Sequence, residues 1–147
     1  FGNCHKYSRV MIEFELKKLG ISKNVFLRGF LPTRDDLIKE LSESYLLVLS
    51  KNETRQNRYN FPTKTIDYIL AGRPMILPNI GGVSDYFKDK ENTLIIRTES
   101  KDDFRDAIKW SYENSDKLNL IRDNAVETLR LNFNVSINIK DMLKNFG

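Results

Sequence analysis

Short apolar runs and amphipathic stretches alternate closely along this chain. An apolar face at Val10, Met11, Phe14 and Leu19 predicts a helix over 8–19, stopped by Gly20. Residues 25–28 follow Asn24 as a short strand ended by Gly29, and Phe30-Leu31-Pro32 makes a tight exit. Thr33 then caps a helix with Asp35 and Asp36 in its first turn, where each acid contributes about 0.3–1 kcal/mol. Leu37, Ile38 and Leu41 form its buried face. The apolar run 45–49, ending at Ser50, predicts a strand buried on both faces, the mark of a parallel sheet. Residues 51–58 are polar and aperiodic, which predicts a loop.

The stretch 59–74, YNFPTKTIDYILAGRP, organises the rest. Asn60 or Thr63 can cap a short helix, and Pro62 suits its first turn. Ile66, Ile69 and Leu70 share one face, with Asp67 off it. Gly72 supplies the left-handed stop, and Pro74 cannot continue the helix. A buried strand over 74–77 follows at once, then a Gly81-Gly82 turn and a short helix from Ser84 to Phe87. Residues 93–96 are the last clear strand. Ser100 caps a helix over 101–113 with Asp102 and Asp103 in its first turn, and a helix over 116–131 carries Leu118, Ile121, Ala125 and Leu129 on one stripe. A final amphipathic segment spans 135–146.

Strand and helix thus alternate throughout, with no internal repeat, low-complexity tract or linker. The pattern predicts an α/β fold: a Rossmann-like parallel sheet flanked by helices on both faces, followed by a helical tail.

Composition narrows the picture modestly. The 147 residues suffice for one compact domain that buries roughly 70% of its unfolded surface. A net charge of +4 suits an anionic ligand, nucleic acid or an acidic membrane surface. The single cysteine, Cys4, excludes an internal disulfide and favours a reducing compartment. No apolar run approaches the roughly 20 residues that span a bilayer, and no signal peptide is legible. Phe1-Gly2 reads as the tail of a strand whose start is missing, which predicts a fragment or a separately expressed domain.

In a sheet of this kind ligands bind beyond the carboxyl ends of the strands. Four segments qualify: 29–33, 50–64, 78–84 and 2–8. Gly81-Gly82 ahead of a helix lets backbone approach a ligand, though such a pair is more often only a turn. Asp67 has Lys64 three residues earlier, and an ordinary exposed pair at that spacing, worth about 0.2–0.5 kcal/mol, is the leading reading from spacing alone. Arg55, Arg58 and Lys64 could gather a diphosphate or could simply be solvated. His5, the only histidine, is more often incidental than catalytic, and one Cys with one His cannot make a zinc site. Tyr45, Phe61, Tyr68, Phe104 and Trp110 fall at core-like positions and read as packing.

The order of these pieces resembles the C-terminal half of GT-B glycosyltransferases, in particular the large retaining group called family 4, the glycosyl transferases group 1 type. The resemblance rests on NVFLRGFLPTRDDLIKELSESYLLVLS, FPTKTIDYILAGRPMILPNIGGVSDYF and TLIIRTESKDDFRDAIKWSYEN, and covers nearly the whole chain. Each motif is loose; their order and spacing carry the likeness.

The resemblance implies residues 1–132 as a nucleotide-sugar-binding domain lacking its beginning, and 133–147 as a helix crossing back to a missing N-terminal domain that binds the acceptor. It puts Asp67 in the place of the glutamate that binds the donor ribose. Gly29, Phe30 and Leu31 take the place of the segment whose backbone reads the base. Phe61, Pro62, Thr63 and Lys64 fall beside the diphosphate and sugar, with Arg58, Tyr59, Gly81 and Gly82 as weaker candidates. Tyr59 stands where the family's first signature glutamate would be, and Asp67 is one methylene shorter than the second. Both departures leave the donor sugar and the stereochemical outcome open.

The activity implied is transfer of a hexose-type sugar from a nucleoside-diphosphate sugar to a glycan or glycolipid, without metal or cofactor. This segment alone is expected to be inactive, and no residue in it is a convincing general base. Polysaccharide biosynthesis in the cytoplasm, with peripheral association at the cytoplasmic membrane face left open, is a family-level expectation. An inactive nucleotide-binding module of the same fold gains weight from Tyr59. A sugar-nucleotide epimerase loses weight because the added acids and histidines it would need are missing. A nucleic-acid partner is disfavoured because Lys and Arg are scattered and form no stripe with aromatics.

Overall fold

A computed structural model of the chain describes residues 6–133. The final segment expected over 135–146, most of the crossing helix expected over 133–147, and His5 and Cys4 all lie outside the described residues. The chain divides into two compact units, Phe1–Leu37 and Ile38–Gly147, and each is taken by itself.

The first unit begins with α1 (Lys6–Lys18) and a single 3-10 turn at Ser22–Asn24. The face expected to point inward is exposed: Val10 is 57%, Phe14 61% and Leu19 65% accessible, while Leu16 is half-buried. Periodicity marks a helix and its apolar stripe but not what covers that stripe. The strand expected over 25–28 does not form. Val25 is extended, with φ −123° and ψ 123°, yet the ladder among the described residues holds only three other strands. Extended backbone becomes a strand only when a neighbour takes its N–H and C=O groups. Thr33 caps α2 (Arg34–Ser42) as expected: its Oγ1 accepts from Asp36 N at 3.1 Å and donates to Asp36 Oδ2 at 2.7 Å.

The second unit holds the sheet. Strands β1 (Leu47–Val48), β2 (Met75–Pro78) and β3 (Leu94–Ile96) lie parallel in the order β1-β2-β3. Leu47 pairs with Met75, and Ile76 with Leu94. Pro78 ends β2 and offers no N–H, so Asn79 N continues the bonding, to Ile96 O at 2.8 Å. All four β2 side chains are buried, as its uninterrupted apolar run requires. Ile76, Leu94 and Ile96 form one core cluster with Ile121, flanked by Phe104, Ala107 and Trp110. Those flanking residues come from α6 (Lys101–Glu113), and Ile121 from α7 (Ser115–Asn132). Met75 and Leu77 alternate to the other face, and α4 (Lys64–Leu70) packs on β2 and on α7.

Ser100 caps α6 by accepting from Asp103 N, as the sequence suggests. Tyr45 departs from its core reading: it is largely exposed, and its hydroxyl donates to Ser111 O at 3.1 Å. Trp110 is half-buried, with Lys90 Nζ at 5.5 Å and Lys117 Nζ at 5.9 Å from its ring centre. Among the described residues no helix is long and apolar enough to cross a membrane.

Candidate functional site

The carboxyl ends of β1 and β2 feed two loops that meet. The first, 49–63, holds a helix where a loop was expected: α3 (Arg55–Tyr59). Thr54 starts it by accepting from Asn57 N at 3.1 Å, and five polar residues offer no apolar periodicity to reveal it. Asn60 ends α3, so it does not cap α4. Thr63 occupies the N-cap position of α4 but has helical φ and ψ and makes no side-chain cap. Backbone bonds tighten that first turn instead, from Thr65 N to Pro62 O at 2.9 Å and from Ile66 N to Thr63 O at 3.1 Å. The buried stripe of α4 is Pro62, Thr65 and Ile69, with Ile66 half-buried; Leu70, expected inward, is 49% exposed.

The second loop is the glycine turn after β2. Gly81 and Gly82 both have positive φ, +56° and +74°. A Cβ on Gly81 would overlap the Asn60 carbonyl oxygen, so the two loops are in backbone contact there. A Cβ on Gly82 would stand 2.9 Å from Asp85 Oδ2 of α5 (Val83–Tyr86). Glycine at 81 is what lets the start of α4 lie against this turn.

Several of the expected site residues are therefore brought together. Phe61 to Lys64 lead into α4 beside Gly81, with Thr63 and Lys64 exposed and Pro62 buried. Asp67 lies half-buried on α4, one turn beyond Lys64. The next side chain, Tyr68, donates from its hydroxyl to Val48 O at 3.0 Å and fixes the helix to the end of β1. Burial, with a smaller contribution from the Asp67 charge, pushes the Tyr68 phenol above its ordinary range. Phe61 is committed to packing: its ring meets Phe133 at 5.4 Å, Tyr86 at 5.9 Å and Phe87 at 6.5 Å. What this residue can offer a ligand is chiefly its backbone. Arg58 pairs with Glu53 at 2.7 Å, and Tyr59 is 77% exposed at the end of α3. Gly29, Phe30 and Leu31 belong to the first unit, where Gly29 has φ +81°, Phe30 is exposed and Leu31 half-buried.

Sequence reasoning missed the loop after β3. A pocket of about 420 Å³ opens at the carboxyl ends of all three strands, between Ser50–Asn52 and 97–101, floored by Pro78, Ile96 and Phe104. Glu53 ties its two sides together: its N–H donates to Glu99 Oε1 at 3.3 Å, and Thr98 Oγ1 donates to its Oε2 at 3.4 Å. Arg97 makes a forked pair with Asp103, at 2.6 and 2.8 Å, and this guanidinium holds the Asp103 carboxyl well below the usual range. The strand over 93–96 was legible, so the rule for strand ends already pointed to this loop. Among the described residues no three His, Cys, Asp or Glu side chains stand together as a metal site.

Comparison with known proteins places this architecture. The model of the family described as glycosyl transferases group 1 matches residues 6–128. No curated protein sequence matches the chain. Solved structures do. Alr3699/HepE of Anabaena, solved in complex with UDP, superposes with a TM-score of 0.81 at 18% identity, over 98% of this chain and 39% of that one. The C-terminal domain of LpcC, a glycosyl transferase group 1 family protein from Francisella tularensis, gives 0.73 at 14% identity, over 86% of this chain and 63% of that one. A glycosyltransferase from Rickettsia africae gives 0.78 at 15% identity, over 97% of this chain and 36% of that one. The chain thus spans under two thirds of each. With its parallel sheet, its helical layers and a family match across most of its length, the chain belongs to the glycosyl transferases group 1 and has the fold of a C-terminal GT-B domain.

Proposed function

We propose that this chain is the donor-binding half of an enzyme that transfers a sugar from a nucleoside-diphosphate sugar to a glycan or glycolipid. The observation that carries the reading is the backbone contact between Asn60 and Gly81. It sets the 61–64 segment against a glycine turn, with a carboxylate, Asp67, one helical turn further on. The N–H groups of Phe61, Thr63 and Gly81-Gly82 then face a diphosphate, with Pro62 contributing no donor, and Lys64 offers a positive charge. Asp67 accepts hydrogen bonds from the ribose hydroxyls, each worth about 1.5–3 kcal/mol for an ionised acceptor. The UDP in the Anabaena relative's complex supports the ligand class.

In the reaction the bond from the sugar's anomeric carbon to the diphosphate oxygen breaks, and a bond to an acceptor hydroxyl oxygen forms. The electron pair leaves with the diphosphate, whose charge is stabilised by Lys64 and backbone N–H groups. The acceptor side, the base that takes the hydroxyl proton and a cytoplasmic membrane-face location belong to the whole protein. Calorimetric titration with UDP, GDP and ADP tests the reading. Binding of at least one, weakened in Asp67→Ala, supports it; no binding, or unchanged affinity in the variant, refutes it.

A second reading, a nucleotide-binding module without activity, draws on Tyr59. Its ring stands exposed where the family's first acid would be. Nucleotide binding by the whole protein without release of diphosphate from any sugar donor would favour it.

A further inference from the structure

The four-ring cluster around Phe61 joins parts of the chain that are distant in sequence. Phe61 begins the segment assigned above to the diphosphate. Tyr86 and Phe87 follow the glycine turn. Phe133 ends α7, where its N–H bonds Leu129 O as the helix closes. Phe133 touches both sides, at 5.4 Å from the Phe61 ring centre with a 38° tilt and 4.9 Å from Tyr86 with a 53° tilt. Phe87 is fully buried and stacks with Phe61 at 22°, its ring centre 6.5 Å away. Phe61 thus contacts both a fixed ring and the end of α7. The α7 helix itself is anchored on α4 and on the core through Leu118, Ile121 and Ala125.

We propose that Phe133 is a positioning residue for the donor site: it fixes the Phe61 ring, and through it the 61–64 backbone and its contact with Gly81. The proposal rests on the diphosphate role assigned to that backbone. Removing the ring leaves a gap beside the Phe61–Tyr86 pair, whose rings touch at 5.9 Å. The 61–64 segment then has freedom that must be given up when a ligand binds. In the proposed site the segment meets the diphosphate, so that loss falls on phosphate binding and not on the base or ribose.

Phe133→Ala and Phe133→Tyr test this by two measurements on the full chain. The first is amide hydrogen exchange of the free protein. Phe133→Ala accelerates exchange over 61–66 and 81–83 about tenfold, with β2, β3 and α6 unchanged, and Phe133→Tyr restores the protection. The second is the affinity ratio of the nucleoside diphosphate to its monophosphate. That ratio falls by about two- to tenfold in Phe133→Ala and recovers in Phe133→Tyr. A purely structural role would weaken both nucleotides alike and leave the ratio in place. Unchanged exchange at 61–66, exchange raised everywhere equally, an unchanged ratio, or a Tyr variant no better than Ala each overturns the proposal. A chain that binds no nucleotide refutes the donor-site reading alone, because the exchange measurement still decides the coupling.

Discussion

Tyr68 donates its hydroxyl proton to the carbonyl oxygen of Val48 at 3.0 Å, one residue after Asp67 and at the carboxyl end of β1. The bond sets the height of α4 above the strand end, and with it the reach of Asp67. Tyr68→Phe removes one part-buried hydrogen bond and should cost about 0.5–1.5 kcal/mol by urea unfolding. It also has a pH signature. The phenol is raised in the folded state above its ordinary value of 10.0. Stability from this group is therefore complete below pH 10 and is lost as pH climbs from there towards the folded value. Tyr68→Phe should remove that part of the alkaline loss; an identical alkaline profile in the two proteins would mean the phenol does not hold the helix.

Gly81 and Gly72 both have positive φ, +56° and +65°, but differ in their surroundings. Nothing lies within 4 Å of a Cβ at Gly72, whereas one at Gly81 would overlap Asn60 O. Gly72→Ala should cost about 1–2 kcal/mol, from backbone strain alone. Gly81→Ala must also push the two loops apart, and should cost about 1–3 kcal/mol more. It should abolish nucleotide binding where Gly72→Ala leaves it intact. Equal costs in paired denaturation curves would deny the close approach.

Thr65 is fully buried on α4, and its Oγ1 has no hydrogen-bond partner among the described residues. Its packing suits a β-branched side chain, but its hydroxyl carries an uncompensated desolvation cost. Thr65→Val keeps the shape and drops that cost, so thermal unfolding should show a gain of about 1–2 kcal/mol. A loss of stability would show that the hydroxyl has a partner after all.

Where burial and chain reversal decide the outcome, local chemistry was informative. The run 74–77 foretold β2 almost to the residue, and Gly72 foretold its left-handed stop. Ser100 and Thr33 were readable as caps because a hydroxyl followed three residues later by an acid satisfies a helix start. Failures occurred where the outcome depends on a partner. Residues 25–28 have strand-like composition and no paired neighbour among the described strands. Val10, Phe14 and Leu19 mark an apolar face that stays exposed. α3 escaped because its five residues carry no apolar stripe, and only the Thr54 cap announces it. The site was legible in part. Asp67 and the glycine pair stood out, but their significance came from the order of motifs, since Asp67 alone read as a surface acid. The aromatic cluster was not legible, because no local pattern brings Phe133 to Phe61.

The most direct test concerns Asp67 and the ribose. Whichever of UDP, GDP or ADP binds should be titrated beside its 2′,3′-dideoxy analogue, into the parent chain and into Asp67→Asn. A carboxylate holding the ribose hydroxyls predicts that the parent prefers the ribonucleotide by about ten- to hundredfold, and that Asp67→Asn loses most of that preference. A parent that binds both alike, or an Asn variant that keeps the full preference, contradicts the assignment of Asp67 to the donor ribose.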